Sequence, residues 1–192
     1  MLVMIAGLIV FLGVHSLRMF ADGWRAAQVA RMGPNAWRGV YSLVSLAGFA
    51  LIVWGFGMAR MAPVVVWSPP MFMRHIAALL VLIAFILVTA AYVPGNGIRA
   101  RLGHPMLAGT KAWAFGHLLA NGTLNDIILF GAFLAWAIAL FAVSRRRDRA
   151  AGVIYLVQGT GRTALTVAIG AVAWALFAFV GHRMLIGVDP FA

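Results

Sequence analysis

The sequence contains no cysteine and no glutamate, and it carries little charge. Without cysteine, the chain has no disulfide, no thiolate nucleophile and no cysteine-ligated metal. Only 10% of its residues are charged, against about 25% in an average soluble domain. The four acids are all aspartates, and no two of them form a paired-carboxylate site within the apolar segments. These scarcities exclude a disordered chain, a fibrous repeat and an ordinary soluble enzyme.

Apolar side chains are what the sequence has in excess. They make up 64% of the 192 residues, and the mean hydropathy is +0.99. A helix needs about 20 apolar residues to cross a bilayer, so this content is enough for about six spans. We therefore predict an all-α fold, a polytopic membrane bundle of about six transmembrane helices, forming one domain over residues 1–192. The predicted spans cover about 2–20, 40–59, 71–93, 106–121, 124–143 and 164–181.

The segments between the predicted spans are polar or contain helix breakers. We interpret 21–38 and 150–163 as connections and 145–149 as a charged stop that ends the fifth span. The sequence does not assign a role to the stretch Gln158–Arg162. The first span has no basic residue before it, unlike the start of a signal peptide, so we expect it to be a retained helix.

The 15 basic residues are distributed unevenly over the predicted loops. Ten of them fall in the first, third and fifth connections, including the arginine-rich stretch 145–149, and Arg18 and Lys111 in the adjoining spans bring this side to twelve. Arginine and lysine beside membrane spans stay on the cytoplasmic side. We therefore predict that both termini lie outside the cytoplasm. The excess of positive charge is assigned to topology and the lipid bilayer, and nucleic acid is not expected as a partner.

Ionisable side chains inside apolar spans are the first candidates for function, because burying them in hydrocarbon is costly. The candidates are His15, His75, Lys111, His117 and His182. No Ser–His–Asp set, zinc-type histidine cluster or phosphate-binding glycine motif accompanies them. Each histidine has two interpretations: a side chain hydrogen-bonded within a helix interface, or a ligand for iron, which neutral imidazole binds readily.

His15 and His117 have the most informative neighbours. His15 shares a helical face with Phe11 and Arg18, and His117 follows a stripe of Gly109 and Trp113 at four-residue spacing. The glycine allows either a flat group or another helix to approach closely, and the indole suits the edge of a macrocycle.

Several other residues have weaker assignments. His75 and His182 are candidates for a second pair or for interfacial positions near the outer surface. His104 is interpreted as a helix-start residue or as a partner of a haem propionate. Arg18, Arg99 and Arg101 can pair with carboxylate or phosphate, or can fix the orientation against anionic lipid.

Four motifs together resemble the NnrU family of bacterial membrane proteins, which are linked to nitrite and nitric-oxide reduction in denitrification. They are Gly13-Val14-His15-Ser16-Leu17, the stretch 37–48, Arg101-Leu102-Gly103-His104-Pro105-Met106, and the stretch 111–122. The resemblance is best over 2–144. The same domain is similar to the plant 15-cis-zeta-carotene isomerases, which carry haem b.

The resemblance implies a protein of the bacterial inner membrane, which puts both termini in the periplasm, and a haem b whose two axial histidines correspond to His15 and His117. From their positions in the sequence, Arg18, Arg101, His104 and Trp113 are predicted as further contacts of the cofactor. Two departures weaken the isomerase part. The isomerases have a cysteine, implicated in redox-dependent ligand exchange, where this chain has Ala114. They also have glutamine at the position of Met106.

Three functions follow as hypotheses. The first is a redox-responsive or nitric-oxide-responsive haem protein, the second a haem-dependent cis–trans isomerase of a carotenoid-like polyene or isoprenoid, and the third a non-enzymatic membrane assembly factor. In a bis-histidine site, a gas binds only after one histidine leaves. We expect His117 to leave, because the helix-end signal Asn121-Gly122 follows it, whereas no such break follows His15.

Overall fold

The computed structural model describes residues 1–191, and the described chain is mainly helical. The helices are α1 (Leu2–His15), α2 (Leu17–Phe20), α3 (Asp22–Met32), α4 (Pro34–Arg60), α5 (Phe72–Tyr92), α6 (Gly97–Leu102), α7 (Pro105–Ala120), α8 (Leu124–Ala150), α9 (Thr160–Leu176) and α10 (His182–Ile186). A π-helical turn, Phe177–Gly181, joins the last two. Within the described residues no β-strand forms beyond one isolated bridge between Val65 and Thr123. The all-α prediction is confirmed.

The chain divides into two compact units. The first comprises residues 1–66 and 123–132, and the second comprises residues 67–122 and 133–191 within the described chain. The boundary falls inside α8, so this helix contributes to both units.

The first unit is built on close packing of α1 against α4. A Cβ added at Gly7 would lie 2.6 Å from the backbone nitrogen of Ile52 on α4, and one at Gly48 would lie 2.8 Å from the backbone nitrogen of Phe11 on α1. Glycine on both helices therefore lets the two backbones touch, as in helix pairs inside bilayers. Met4 and Leu8 are buried in the same interface.

In the second unit, glycines also let neighbouring helices pack closely against α5. Gly109 of α7 lies against Ala84, where an added Cβ would be 2.9 Å from the carbonyl oxygen. Gly170 of α9 lies against Ile86, with an added Cβ 2.6 Å from its Cα atom. Helix α5 thus has a small-residue contact with each of its two neighbours. Of the two groups predicted to approach Gly109, a flat group or another helix, the structure shows a helix, because α5 packs against this glycine.

Four helical segments are long and apolar enough to cross a membrane: Pro34–Arg60, Phe72–Tyr92, Leu124–Ala150 and Thr160–Ile186. Only 17–22% of each apolar window is buried within the protein, so most of these surfaces are suited to contact lipid. Helices α1 and α7 have 14 and 16 residues, or about 21 and 24 Å, less than a hydrocarbon core of about 30 Å. The helical membrane bundle is confirmed, and the count of six spans is not.

Three predicted boundaries differ from the structure. The segment 21–38 contains α3 and the first turn of α4, which starts at Pro34 because proline is tolerated at the first position of a helix. Helix α8 continues through the charged stretch to Ala150, since arginine is a good helix former. The last helical segment begins at Thr160 and ends at Ile186, so it exceeds the predicted 164–181 at both ends.

Candidate functional site

His15 is the last residue of α1, in the first unit. Its Nδ1 lies 2.6 Å from the carbonyl oxygen of Phe11, one turn earlier. A carbonyl oxygen only accepts hydrogen bonds, so this contact assigns the proton to Nδ1 and the lone pair to Nε2. The imidazole ring lies 4.3 Å from the Phe11 ring and 5.3 Å from the ring of Tyr41 on α4. Two helices therefore fix its orientation.

A cavity of about 360 Å³ opens beside this histidine. It lies wholly within the first unit, between α1, α2, α3 and the start of α4. Its walls include His15, Arg18, Arg25, Trp37, Arg38 and Tyr41. The sequence hypothesis named the first two residues and missed the other four. The spacing of Arg18, Asp22 and Arg25, which is typical of a helical face, could have indicated that 21–38 is structured.

His117 lies on α7, three residues before its end, in the second unit. Its Nδ1 lies 2.8 Å from the carbonyl oxygen of Trp113, and its ring lies 5.2 Å from the indole of the same residue. Trp113 in turn meets the ring of Phe133 edge-on at 5.5 Å. The Nδ2 of Asn121 donates to the carbonyl oxygen of His117 over 2.9 Å. The imidazole has the same proton assignment as His15 but stands in a different environment.

His104 directly precedes α7 and forms a separate polar cluster in the second unit. Its Nε2 lies 2.8 Å from Oδ2 of Asp148, and the hydroxyl of Tyr155 donates to the same oxygen over 2.8 Å. Burial and the hydrogen bond to this carboxylate raise the pKa of the Tyr155 phenol. The interpretation as a helix-start residue agrees with this position. Sequence analysis missed Asp148 and Tyr155, because neither is near His104 in the chain.

Among the remaining predicted residues, Arg18 belongs to the cavity beside His15, and the guanidinium carbon of Arg99 lies 5.6 Å from the ring centroid of Tyr155. Arg18 is paired with Asp22 at 3.8 Å, and Arg101 is exposed in the last turn of α6. His75 is exposed, while Nδ1 of His182 lies 2.7 Å from the carbonyl oxygen of Val188. Over residues 1–191, no group of three or more histidine or aspartate side chains is arranged to hold a metal ion.

Long apolar helices with mostly lipid-suited surfaces define an α-helical integral membrane protein. The profile of one family, described as NnrU protein, matches residues 3–190, and the chain belongs to the NnrU family. A search of the curated proteins and a search of the solved structures each found no match.

Proposed function

We propose that this chain is a haem-b-binding protein of the bacterial inner membrane that serves nitrite and nitric-oxide metabolism, with His15 and His117 as the iron ligands. One observation carries the proposal. At both histidines, Nδ1 is held by the carbonyl oxygen four residues earlier, at 2.6 and 2.8 Å. Histidines that bind metals characteristically donate their other ring N–H to a carbonyl or carboxylate, which fixes the tautomer and orients the ring.

The donor set fits a haem. Neutral imidazole with its lone pair on Nε2 is the usual ligand of iron in an apolar site. Aromatic rings flank both imidazoles, Phe11 and Tyr41 at one and Trp113 at the other, so they hold the rings and limit the access of water. When bound, a haem supplies one-electron redox chemistry and affinity for nitric oxide. The chain itself supplies the ligand nitrogens, their proton state and the apolar walls.

The other cofactor contacts remain part of the proposal. Trp113 is the wall next to His117, and Arg18 lines the cavity next to His15. Arg101 and His104 are proposed as partners of the propionates, although Nε2 of His104 already faces Asp148. The distribution of basic residues supports periplasmic termini. A periplasmic reporter fused after Ala192 should be active, and a cytoplasmic signal there would reverse the orientation.

Absorption spectra of the purified protein, oxidised and reduced, test the haem directly. We expect a Soret band and the sharp reduced bands of a low-spin, six-coordinate haem b. A colourless protein, after expression with ample haem supply, would overturn the proposal. It would favour the third hypothesis, a non-enzymatic membrane assembly factor.

A second candidate is the cis–trans isomerase of a long polyene. An apolar groove of about 440 Å³ in the first unit favours it, with walls from α1 and the start of α8 that include Ile5, Leu12 and Ile128. Such a groove suits an extended isoprenoid chain. Supplying a 15-cis polyene to the reduced protein should then give the all-trans isomer by chromatography, and unchanged substrate would exclude this activity.

A further inference from the structure

We propose that the cavity lined by Arg18, Arg25 and Arg38 binds the phosphate headgroup of an anionic phospholipid. The three guanidinium groups come from α2, α3 and α4, which converge at this cavity of about 360 Å³. Guanidinium groups match phosphate oxygens with paired hydrogen bonds. The hydroxyl-bearing residues Tyr41 and Ser42 also line the cavity.

Local carboxylates do not neutralise this charge. Among the described residues, the cavity lining contains no acid. Asp22, beside it, lies 3.8 Å from Arg18 and 3.7 Å from Arg25, but its side chain is 53% exposed. Exposed ion pairs at such distances are weak. One exposed aspartate thus pairs with two of the three arginines, and the cavity keeps an excess of positive charge for a ligand.

The surroundings of the cavity mark the level of the lipid headgroups. Helix α3 has one polar and one apolar face, and its Trp24 meets Trp37 of α4 edge-on at 6.0 Å. Tryptophan and amphipathic helices with arginine are typical of the membrane–water interface. At this level, the phosphate of anionic lipids is the negative group present in large amounts.

The volume of the cavity is suited to the headgroup of a lipid and not to a whole lipid molecule. Ligand pockets usually measure about 300–1,000 Å³, so this cavity is at the small end and suits a phosphate with its glycerol. Phe20 of α2 is 82% exposed, and Leu43, which follows the lining residue Ser42 in the chain, is 69% exposed, so both offer apolar surface to acyl chains. His15 and Arg18 of this cavity also belong to the proposed haem site, whereas Arg25 and Arg38 do not, so the test uses these two arginines.

Native mass spectrometry of the full chain, released from phosphatidylglycerol or phosphatidylcholine nanodiscs, tests the proposal. We expect wild type to retain one phosphatidylglycerol and to release phosphatidylcholine. The double variant Arg25→Gln/Arg38→Gln should bind phosphatidylglycerol at least about 100-fold more weakly, because each charge-assisted contact is worth about tenfold or more. Arg31→Gln is the matched control, since this exposed arginine of α3 lies outside the cavity lining, and it should change retention less than twofold.

Two further measurements keep the proposal falsifiable. The variant Arg25→Lys/Arg38→Lys preserves the charge and should retain more lipid than the glutamine variant, which covers the case in which the latter does not fold. Inorganic phosphate at about 10 mM should not displace the lipid. Equal retention by the glutamine variant and Arg31→Gln, equal retention of the two lipids by wild type, or displacement by free phosphate would each overturn the proposal. Loss of haem from the glutamine variant with unchanged lipid retention would also overturn the proposal. It would indicate that the arginines contact the haem.

Discussion

In the first unit the candidate histidine ends its helix, whereas in the second it lies three residues before the helix ends. Both imidazoles donate from Nδ1 to the preceding turn. Their surroundings differ: His15 borders a cavity with three arginines, while His117 contacts the indole of Trp113, and Asn121 caps its turn. The same helical hydrogen bond therefore orients an imidazole in a charged environment and in an aromatic one.

The largest expected effect is on the haem spectrum. His15→Ala and His117→Ala should each abolish the Soret band or convert the haem to high spin, because each removes one of the two proposed ligand nitrogens. His75→Ala is the control, since His75 is exposed on α5, and its spectrum should match wild type. A normal spectrum in His117→Ala together with loss of haem in His75→Ala would contradict this assignment and indicate His75 and His182 as the iron ligands.

The glycine contacts of the two units give the next effect. Gly7→Ala should lower the free energy of unfolding by about 1–3 kcal/mol, because the new Cβ meets three backbone atoms of the neighbouring helix within 2.9 Å. Gly109→Ala should cost less, since only one backbone atom, a carbonyl oxygen at 2.9 Å, is as close, and the other contacts are side-chain carbons of Val88 and Leu87 at 3.1 and 3.2 Å.

Gly13→Ala on α1 is the control for helix propensity. Nothing lies within 4 Å of its added Cβ, so it should be neutral or stabilise by up to about 1 kcal/mol. Thermal unfolding in one detergent measures all three variants. Equal losses at Gly7 and Gly13 would show that the close contact between α1 and α4 does not stabilise the fold.

Gas binding distinguishes the two histidines kinetically. We expect the oxidised protein to be inert, and the rate of CO binding to the reduced protein to reach a plateau with rising CO, set by release of His117. Asn121→Ala removes the hydrogen bond to the carbonyl of His117, worth about 1 kcal/mol, and should raise the plateau about fivefold.

Ser16→Ala, next to the other histidine, is the control and should change the plateau less than twofold. Stopped-flow mixing measures both variants. A larger effect of Ser16→Ala would identify His15 as the ligand that leaves, and a rate linear in CO throughout would mean an open iron site.

The smallest effect is expected in the His104 cluster. Tyr155→Phe removes the hydrogen bond to Asp148 and should cost about 0.5–1 kcal/mol of unfolding free energy, seen as a lower melting temperature. Tyr92→Phe is the control, because this side chain is 73% exposed, and it should leave the melting temperature unchanged. The same melting temperature for both variants would show that the His104 cluster does not stabilise the loop 151–159 between α8 and α9.

The apolar pattern predicted the long helices well, since hydrophobic length is a local property of the sequence. It was wrong about the polar segment 21–38, which contains α3 and the start of α4. The pair Gly33-Pro34 breaks the helix, as predicted, and also starts the next one, since α3 ends at Met32 and α4 begins at Pro34. No Gly–Pro pair follows His15, yet α1 ends at that residue and α2 begins at Leu17.

The candidate histidines could be selected from the sequence because polar groups are rare in apolar segments. Their partners could be inferred only in part. Phe11 and Trp113 are one turn away and follow from helical spacing. Asp148 lies 2.8 Å from His104 but far from it in the chain, and Arg25 and Arg38 reach one cavity through the packing of three helices. Such pairings depend on tertiary structure, which periodicity does not encode.

The contact between α1 and α4 also bears on how the chain is made. Both helices are complete at Arg60, and α5 begins only at Phe72. The glycine-lined faces at Gly7 and Gly48 can therefore meet while the rest of the chain is still being synthesised, as happens when early segments fold as units. The α5–α7 contact likewise joins segments close in sequence, such as Ala84 and Gly109. Each pair joins helices that are near each other in the sequence, which favours fast assembly in the order of translation.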